Sequence, residues 1–404
     1  MKAIDLIPYS INKYVYLERY VNDGSPSGYT LINTTSFETN PISGDACFKL
    51  KSFDTNRYRN LVLGDDCNIF NNLNFAHPDS EYSKLFKMMN IQLASTEFAV
   101  APTASSRTVL VINKNSPYFL KLNYDIGKIG RCDRHISKMS ALASYENSNY
   151  IIECIKNKKL PIYFSILPEN CAKITYLENN GNFYEWGTIF REYPSTNNTI
   201  VVPAFSLFSK DYNNKNDDCL INQFITLNNS DPREYLIKLL VMLIDCYWSL
   251  LLKCGLVAEL HSQNCLVELN YNFDIKRIII RDMEDVDRDI YIAKLNNIEK
   301  KWESVGYKTY NITDDEYKYR TSYMYDFKFG IYLLEPLINV VCSRYNINKD
   351  EIYKFIKNYV NSKYLCNLPD NYFFDKNIWV SRSNQDNGLI RKKTYILNEK
   401  PKFR

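Results

Sequence analysis

The sequence predicts an α+β fold, with β-rich segments ahead of a mainly helical C-terminal part. Short runs of β-branched and aromatic residues, bounded by Asn, Asp, Gly and Pro, dominate as far as about residue 228. From Asp231 the texture changes to long segments with helical apolar periodicity. Strands grouped ahead of helices, rather than alternating with them, argue for antiparallel sheets. Apolar residues make up 45% of the 404, enough to bury a large core.

Residues 1–95 mix short apolar runs with turn residues and predict strands and loops. Residues 107–124, RTVLVINKNSPYFLKLNY, predict a hairpin: one β-branched arm, an Asn-Ser-Pro turn and a partly alternating second arm. A helix is expected at Ser137 to Asn157, then strands at Tyr163 to Leu167, Gly187 to Arg191 and Thr199 to Val202. Asp231 and Pro232 stand as N-cap and first helical residue of a helix reaching Cys254, with Gly255 as its stop. CLVELNY, an Asn/Asp turn and KRIIIRD predict a second hairpin, and Tyr323 to Tyr345 and Lys349 to Tyr364 read as helices. Three regions follow: 1–95, a β-rich 96–228, and a mainly helical 229–404.

Composition narrows the function. With 50 Lys and Arg against 46 Asp and Glu, the net +4 leaves no electrostatic footprint for nucleic acid. The 33 tyrosines are not interleaved with basic residues, as a base-stacking platform requires. Eleven cysteines without a CxxC pair, and only three histidines, argue against zinc and for reduced, mostly buried thiols in a cytoplasmic protein. The N-terminus lacks a signal-peptide h-region. The most apolar segment, Leu236 to Leu252, is interrupted by Lys238 and Asp245, so it reads as a buried helix and not a membrane span.

Three segments concentrate groups that handle phosphate and carboxylate. Ser105-Ser106-Arg107-Thr108 enters the first hairpin, and Lys121 lies on its partner strand. Two cations on one face suit a triphosphate, although the spacing taken alone favours two solvated strand cations. Gly130 to His135 forms a basic turn before a helix, a setting that favours anions and is also an ordinary charged helix start. Glu259-Leu260-His261-Ser262-Gln263-Asn264 lies between a helix and a strand, and Arg281-Asp282 ends the next strand. That arrangement groups His261, Gln263, Asn264 and Asp282: a strand-end carboxylate for magnesium, and an imidazole for a substrate carboxylate or a proton.

These segments resemble the signature motifs of the IucA/IucC-type, NRPS-independent siderophore synthetases. The family's Pro-Thr-x-Ser-x-Arg-Thr appears as Pro102 to Thr108, its Lys-Leu strand as Lys121-Leu122, and its Arg-closed turn as Ile129 to Arg134. Its Arg-Glu-x-Pro is similar to Arg191 to Pro194, followed by Val201-Val202-Pro203-Ala204. Its Glu-x-His-x-Gln-Asn and following Arg-Asp match Glu259 to Asn264 and Arg281-Asp282. The order and approximate spacing agree over about residues 75–400. The His-Pro-x-His-Pro-x-x-Lys segment has no clear match, His77-Pro78 being the single His-Pro, and Gly130 stands where the family usually has Thr.

The resemblance implies a β-rich, fingers-like region packed on a helical, palm-like one, with an ATP cleft between them and a shortened N-terminal region at 1–95. It implies that ATP and Mg2+ activate a carboxylate of citrate or a related acid as an acyl-adenylate. An amine, hydroxylamine or alcohol would then receive the acyl group, and members are often homodimers. By the same resemblance, Ser105, Arg107 and Lys121 bind ATP phosphates, Gln263, Asn264 and Asp282 hold the nucleotide with Asp282 on the metal, and Arg134 and His261 bind the acid. Arg320 and Tyr323 fall where further carboxylate contacts are expected. Two other readings remain: a non-catalytic nucleotide- or citrate-binding relative, and a kinase-like phosphotransferase. The second lacks a Gly-rich loop and an Asp after His261 in the catalytic-base position.

Overall fold

The computed structural model describes residues 1–23, 39–64, 72–80, 82–105, 107–112, 117–124, 135–305, 309–310, 315–369, 372–384, 390–396 and 400–404, without the side chains of 82–84, 310, 315 and 379–396. The β-rich part is one antiparallel sheet of eight strands. They are β1 (Phe48–Asp54), β2 (Arg59–Leu63), β3 (Leu73–Phe75), β4 (Leu93–Pro102), β5 (Thr108–Val111), β6 (Tyr118–Leu122), β8 (Cys171–Asn179) and β9 (Asn182–Glu192), in the order β2-β8-β9-β6-β5-β4-β1-β3. The first expected hairpin is β5–β6, pairing Thr108 with Lys121 and Val111 with Tyr118. The sheet takes strands from both sides of residue 95, so the expected division there is not a sheet boundary.

A smaller sheet, ordered β10-β12-β13-β7, is built from β7 (Phe164–Ile166), β10 (Thr199–Pro203), β12 (Cys265–Asn270) and β13 (Ile275–Ile280). The second expected hairpin is β12–β13, with Cys265 opposite Ile280, while β7 joins β13 in parallel. This sheet likewise crosses the expected division at residue 228. The strands β11 (Leu256–Ala258), β14 (Val286–Asp289) and β15 (Thr309–Tyr310) form a third sheet.

The helices are α1 (Ile11–Tyr20), α2 (Tyr82–Met88), α3 (Lys138–Lys156), α4 (Ala204–Phe208), α5 (Leu220–Asn228), α6 (Pro232–Cys254), α7 (Ile290–Leu295), α8 (Asp315–Ser322), α9 (Glu335–Tyr345) and α10 (Lys349–Lys363). The Asp231 carboxylate accepts from Glu234 N, Pro232 opens α6, and Gly255 closes it at φ 66°. A Cβ at Gly255 would also lie 2.9 Å from Ala293 Cβ, so the stop residue doubles as a close contact. By length and composition α6 is apolar enough to cross a membrane, yet it is buried at the centre of the largest core cluster. Its Asp245 accepts from the hydroxyls of Tyr163 at 2.8 Å and Tyr359 at 2.6 Å and pairs with Lys363.

The structure departs from expectation in four places. α1 and α2 lie within a stretch expected to hold strands and loops, and a hairpin of β16 (Ile378–Asn384) and β17 (Ile390–Ile396) interrupts the helical C-terminal part. The helix expected over Tyr323 to Tyr345 is π-helical from Tyr323 to Leu334 before α9 resumes. Cys171 is disulfide-bonded and not a reduced thiol, whereas Cys154, Cys219, Cys246, Cys254, Cys265 and Cys342 are free and buried.

Candidate functional site

Register brings the sheet cations together. In β6 and β9, Lys121 faces Ile189 and Phe119 faces Arg191, so Lys121 and Arg191 are diagonal neighbours on one face. Pleat alternation in β5–β6 pairs Lys121 with Thr108 and would turn Arg107 to the other face. Arg107 precedes the strand, however, and its Nη2 reaches Glu284 at 3.1 Å, the carboxylate that Lys121 Nζ meets at 2.6 Å. Lys121 also pairs with Asp282, as does Arg191 at 3.2 Å. All three cations are buried.

The acids come from one turn. After β13, Asp282 takes a left-handed backbone, φ 76° and ψ 67°, and starts a 3-10 turn over Met283–Asp285. Asp is among the few non-glycine residues that tolerate this region, and such strain gathers at functional positions. Helix α3 holds the turn from behind: Asn147 Nδ2 donates to the carbonyls of Met283 at 3.0 Å and Val286 at 3.3 Å. Glu169, fully buried, accepts from Arg191 Nε at 2.7 Å, from the Ser144 hydroxyl and from Met283 N at 3.1 Å. One carboxylate thus fixes both a sheet cation and the turn that carries Asp282.

The loop after β11 meets this cluster through backbone. Gln263 Nε2 donates to the Ala104 carbonyl at 3.0 Å, beside Ser105, and the Gln263 carbonyl accepts from Arg281 Nε at 2.7 Å. Thr103 Oγ1 donates to the Thr108 carbonyl at 2.8 Å, closing the loop that holds Ser105. Glu18 on α1 ties both sides: it accepts from Ala104 N at 3.1 Å and pairs with Arg281. The Asn264 side-chain amide donates to the Glu259 carbonyl at 3.1 Å, so it closes its own loop.

On the helix side, the Gln263 backbone N–H donates to His261 Nδ1 at 3.2 Å, which leaves the neutral ring its proton on Nε2. Burial, reinforced by Lys328 and Arg281 and opposed by Glu259 and Asp285, depresses His261 to about 4. Glu259 pairs with Lys328 of the π-helical stretch, and Arg320 Nε holds Asp287 of β14 at 2.6 Å. The Tyr323 ring lies 5.4 Å from Lys328 Nζ and 5.9 Å from Arg320 Cζ.

Charge states follow from these contacts. Burial alone would lower Arg107 and Lys121, but the surrounding carboxylates outweigh it and hold both above their ordinary values. Burial would raise Glu169, but Arg191, Lys121 and hydrogen bonds override it and keep the carboxylate ionised. Asp282 is raised, chiefly by burial and then by Asp285 and Glu169 against Lys121 and Arg191. An added cation would relieve that excess of negative charge.

Of the expected site residues, Arg107, Lys121, Asp282 and the Gln263 loop converge on one turn, Ser105 lies in the adjoining loop, and His261, Arg320 and Tyr323 line the helix side. Arg134 lies outside the described residues. Glu18, Glu169 and Glu284 escaped the sequence reading, and Arg191 was noted without a role. Three acids within four residues at a strand end, Asp282 to Asp285, were the available signal for Glu284; Glu169 had none.

No family model and no curated protein sequence matches the chain. Solved structures do. The petrobactin biosynthesis protein AsbB from Bacillus anthracis aligns with a TM-score of 0.63 at 14% identity, over 87% of this chain and 67% of that one. Aerobactin synthetase IucC from Klebsiella pneumoniae aligns with a TM-score of 0.62 at 13% identity, over 90% and 71%. ATP-bound aerobactin synthetase IucA from the same organism aligns with a TM-score of 0.64 at 11% identity, over 89% and 72%. The fold is therefore that of the siderophore synthetases.

Proposed function

We propose that the chain is an ATP-dependent ligase of siderophore assembly that adenylates a carboxylate of citrate or a similar acid and passes the acyl group to an amine, hydroxylamine or alcohol. The observation that carries this reading is the convergence of Arg107, Lys121 and Arg191 on the turn of Asp282 and Glu284, within a fold shared with an ATP-bound synthetase.

Arg107 and Lys121 bind phosphate oxygens, the guanidinium through its fork and the ammonium as a point charge. Asp282, with Glu284 beside it, holds magnesium. The donor set fits that ion: hard carboxylate oxygens, that of Asp282 raised chiefly by burial and then by its acidic neighbours. Among the described residues no three or more His, Cys, Asp or Glu form a metal cage, so Asp282 and Glu284 are the carboxylates that would hold the ion. When bound, magnesium neutralises phosphate charge. The neutral His261 donates from Nε2 to the acid, and Arg320 and Tyr323 orient it. A carboxylate oxygen attacks the α-phosphorus and pyrophosphate leaves with the bond electrons. The nucleophile then attacks the acyl carbon, AMP departs, and the nucleophile's proton goes to solvent.

Pyrophosphate release from ATP, measured with citrate and a panel of diamines, hydroxylamines and alcohols, tests the proposal. Turnover that requires both acid and nucleophile supports it. ATP binding without pyrophosphate release assigns the chain instead as a non-catalytic binder, and phosphate transfer to protein as a kinase-like enzyme.

A further inference from the structure

Two cysteines outside the site meet where α3 and α6 approach each other. Cys154 stands in the last turn of α3, and Cys254 is the final residue of α6. Neighbouring contacts fix the approach. Leu256, just past Cys254, pairs with Arg288, whose Nη2 donates to Asn147 Oδ1 of α3 at 3.2 Å. Tyr150, one helical turn before Cys154, meets the Trp302 ring edge-on at 5.3 Å. The Cys254 thiol donates to Cys154 Sγ, and so does the Tyr150 hydroxyl. Both cysteines are free and buried. A cavity of about 480 Å³ reaches the pair through Cys254, which lines it beside Gly255, Ala293, Ile298 and Trp302.

Chemistry separates this pair from the other buried cysteines. Burial pushes the Cys219, Cys246, Cys265 and Cys342 thiols up, which leaves them protonated and inert. Cys154 is instead pulled down to about 7, chiefly by the hydrogen bond from Cys254 against the effect of burial, with Tyr150 and Lys159 assisting. The same hydrogen bond pushes Cys254 up. Near neutrality a thiolate therefore sits beside a thiol, the pairing from which a disulfide closes.

We propose that Cys154 and Cys254 form an oxidisable dithiol, a modification site that takes hydrogen peroxide through the cavity and closes to a reversible disulfide. The proton shared along the hydrogen bond lets the negative charge reach Cys254 at the cavity wall. The thiolate attacks one peroxide oxygen, the O–O bond breaks, and the departing hydroxide recovers the proton that the thiol had lost. The second sulfur then attacks the sulfenic sulfur, the S–O bond breaks, and the hydroxyl leaves as water with the second thiol's proton. Two thiols and one peroxide become one disulfide and two waters, the sulfurs being oxidised and the peroxide oxygens reduced. The site stands apart from the ligase reading, since neither sulfur is among the nucleotide- or acid-binding residues.

The test treats the reduced full chain with hydrogen peroxide, alkylates the remaining thiols and maps linked peptides by mass spectrometry. The expected product is a Cys154–Cys254 linkage that dithiothreitol reverses, formed at least about tenfold faster than oxidation at Cys246 or Cys265. Cys254→Ser keeps a donor to Cys154 and removes the second sulfur, so Cys154 should stop at the sulfenic acid, which dimedone traps. The first readout uses wild type, so it survives a variant that fails to fold. Cys154 and Cys254 remaining reduced while the exposed Cys47 and Cys366 are oxidised overturns the site. So does either sulfur joining a different cysteine, or a linkage that forms no faster than oxidation at Cys246.

Discussion

On the sheet side of the site, Arg107, Lys121 and Arg191 share Glu169, Asp282 and Glu284. On the helix side Lys328 pairs with Glu259 and Arg320 with Asp287, and the Arg320 side chain is 34% exposed. A shared, buried network fixes geometry before a ligand arrives, as phosphate positioning requires. The partly exposed Arg320 is screened by solvent, so its pair has less hold on the geometry around it. The difference teaches where substitutions will damage the fold and where they will be better tolerated.

The sharpest way to break this contrast is Glu169→Ala. It takes from Arg191 its nearer acid and loosens the Met283 turn, for an expected loss of roughly 3–5 kcal/mol in chemical denaturation. Because Glu169 is held below its ordinary value, its contribution exists above the normal glutamate range and fades as pH falls. The gap between wild type and Glu169→Gln should therefore narrow in acid. Lys121→Met removes the proposed phosphate contact and is expected to lower kcat/KM about 10²- to 10³-fold in pyrophosphate release. An effect under tenfold would count against the sheet side as the nucleotide site.

On the helix side, Gly330→Ala would bring a Cβ to 2.6 Å from the Phe403 ring. The expected loss is about 1–3 kcal/mol by thermal unfolding, with the nucleotide KM preserved. Asp282→Asn should invert the usual pattern by inactivating the protein while stabilising it by about 0.5–2 kcal/mol. A raised carboxyl contributes stability at low pH and loses it as pH rises through its folded value. The advantage of Asn should thus appear near neutrality and vanish in acid. The smallest effect concerns His261, whose proton NMR titration should centre near 4. Depression below the ordinary imidazole value makes protonation oppose folding, so this term erodes stability as pH falls from about 6.5.

Much of this was legible in the chain itself. Asp231-Pro232 and Gly255 delimit α6 because capping chemistry is local, and both hairpins follow from β-branched runs broken by turn residues. Helix α1, INKYVYLERY, was missed because its polar residues blur the apolar stripe, and Glu18 and Arg19 are buried in it beside Tyr14 and Leu17. Glu169 sits after a proline with no motif around it, and its role depends on α3 and β9 meeting in space. The π-helical stretch is invisible to periodicity, because its apolar run fits an α-helix equally well. Arg107 and Lys121 were found by motif, but strict alternation would have separated them.

Glu18 and Arg281 are 263 residues apart in the chain. On a ribosome adding 5–20 residues each second, the first helix waits roughly 13 to 53 seconds for its arginine to be made. Until then the Glu18 carboxylate has no guanidinium to neutralise it, and the Ala104 loop lacks its finished buttress. The strands of the eight-stranded sheet all precede Arg281 in the chain and can pair before this contact forms. This predicts a late, slow phase in which secondary structure is complete before ligand binding appears.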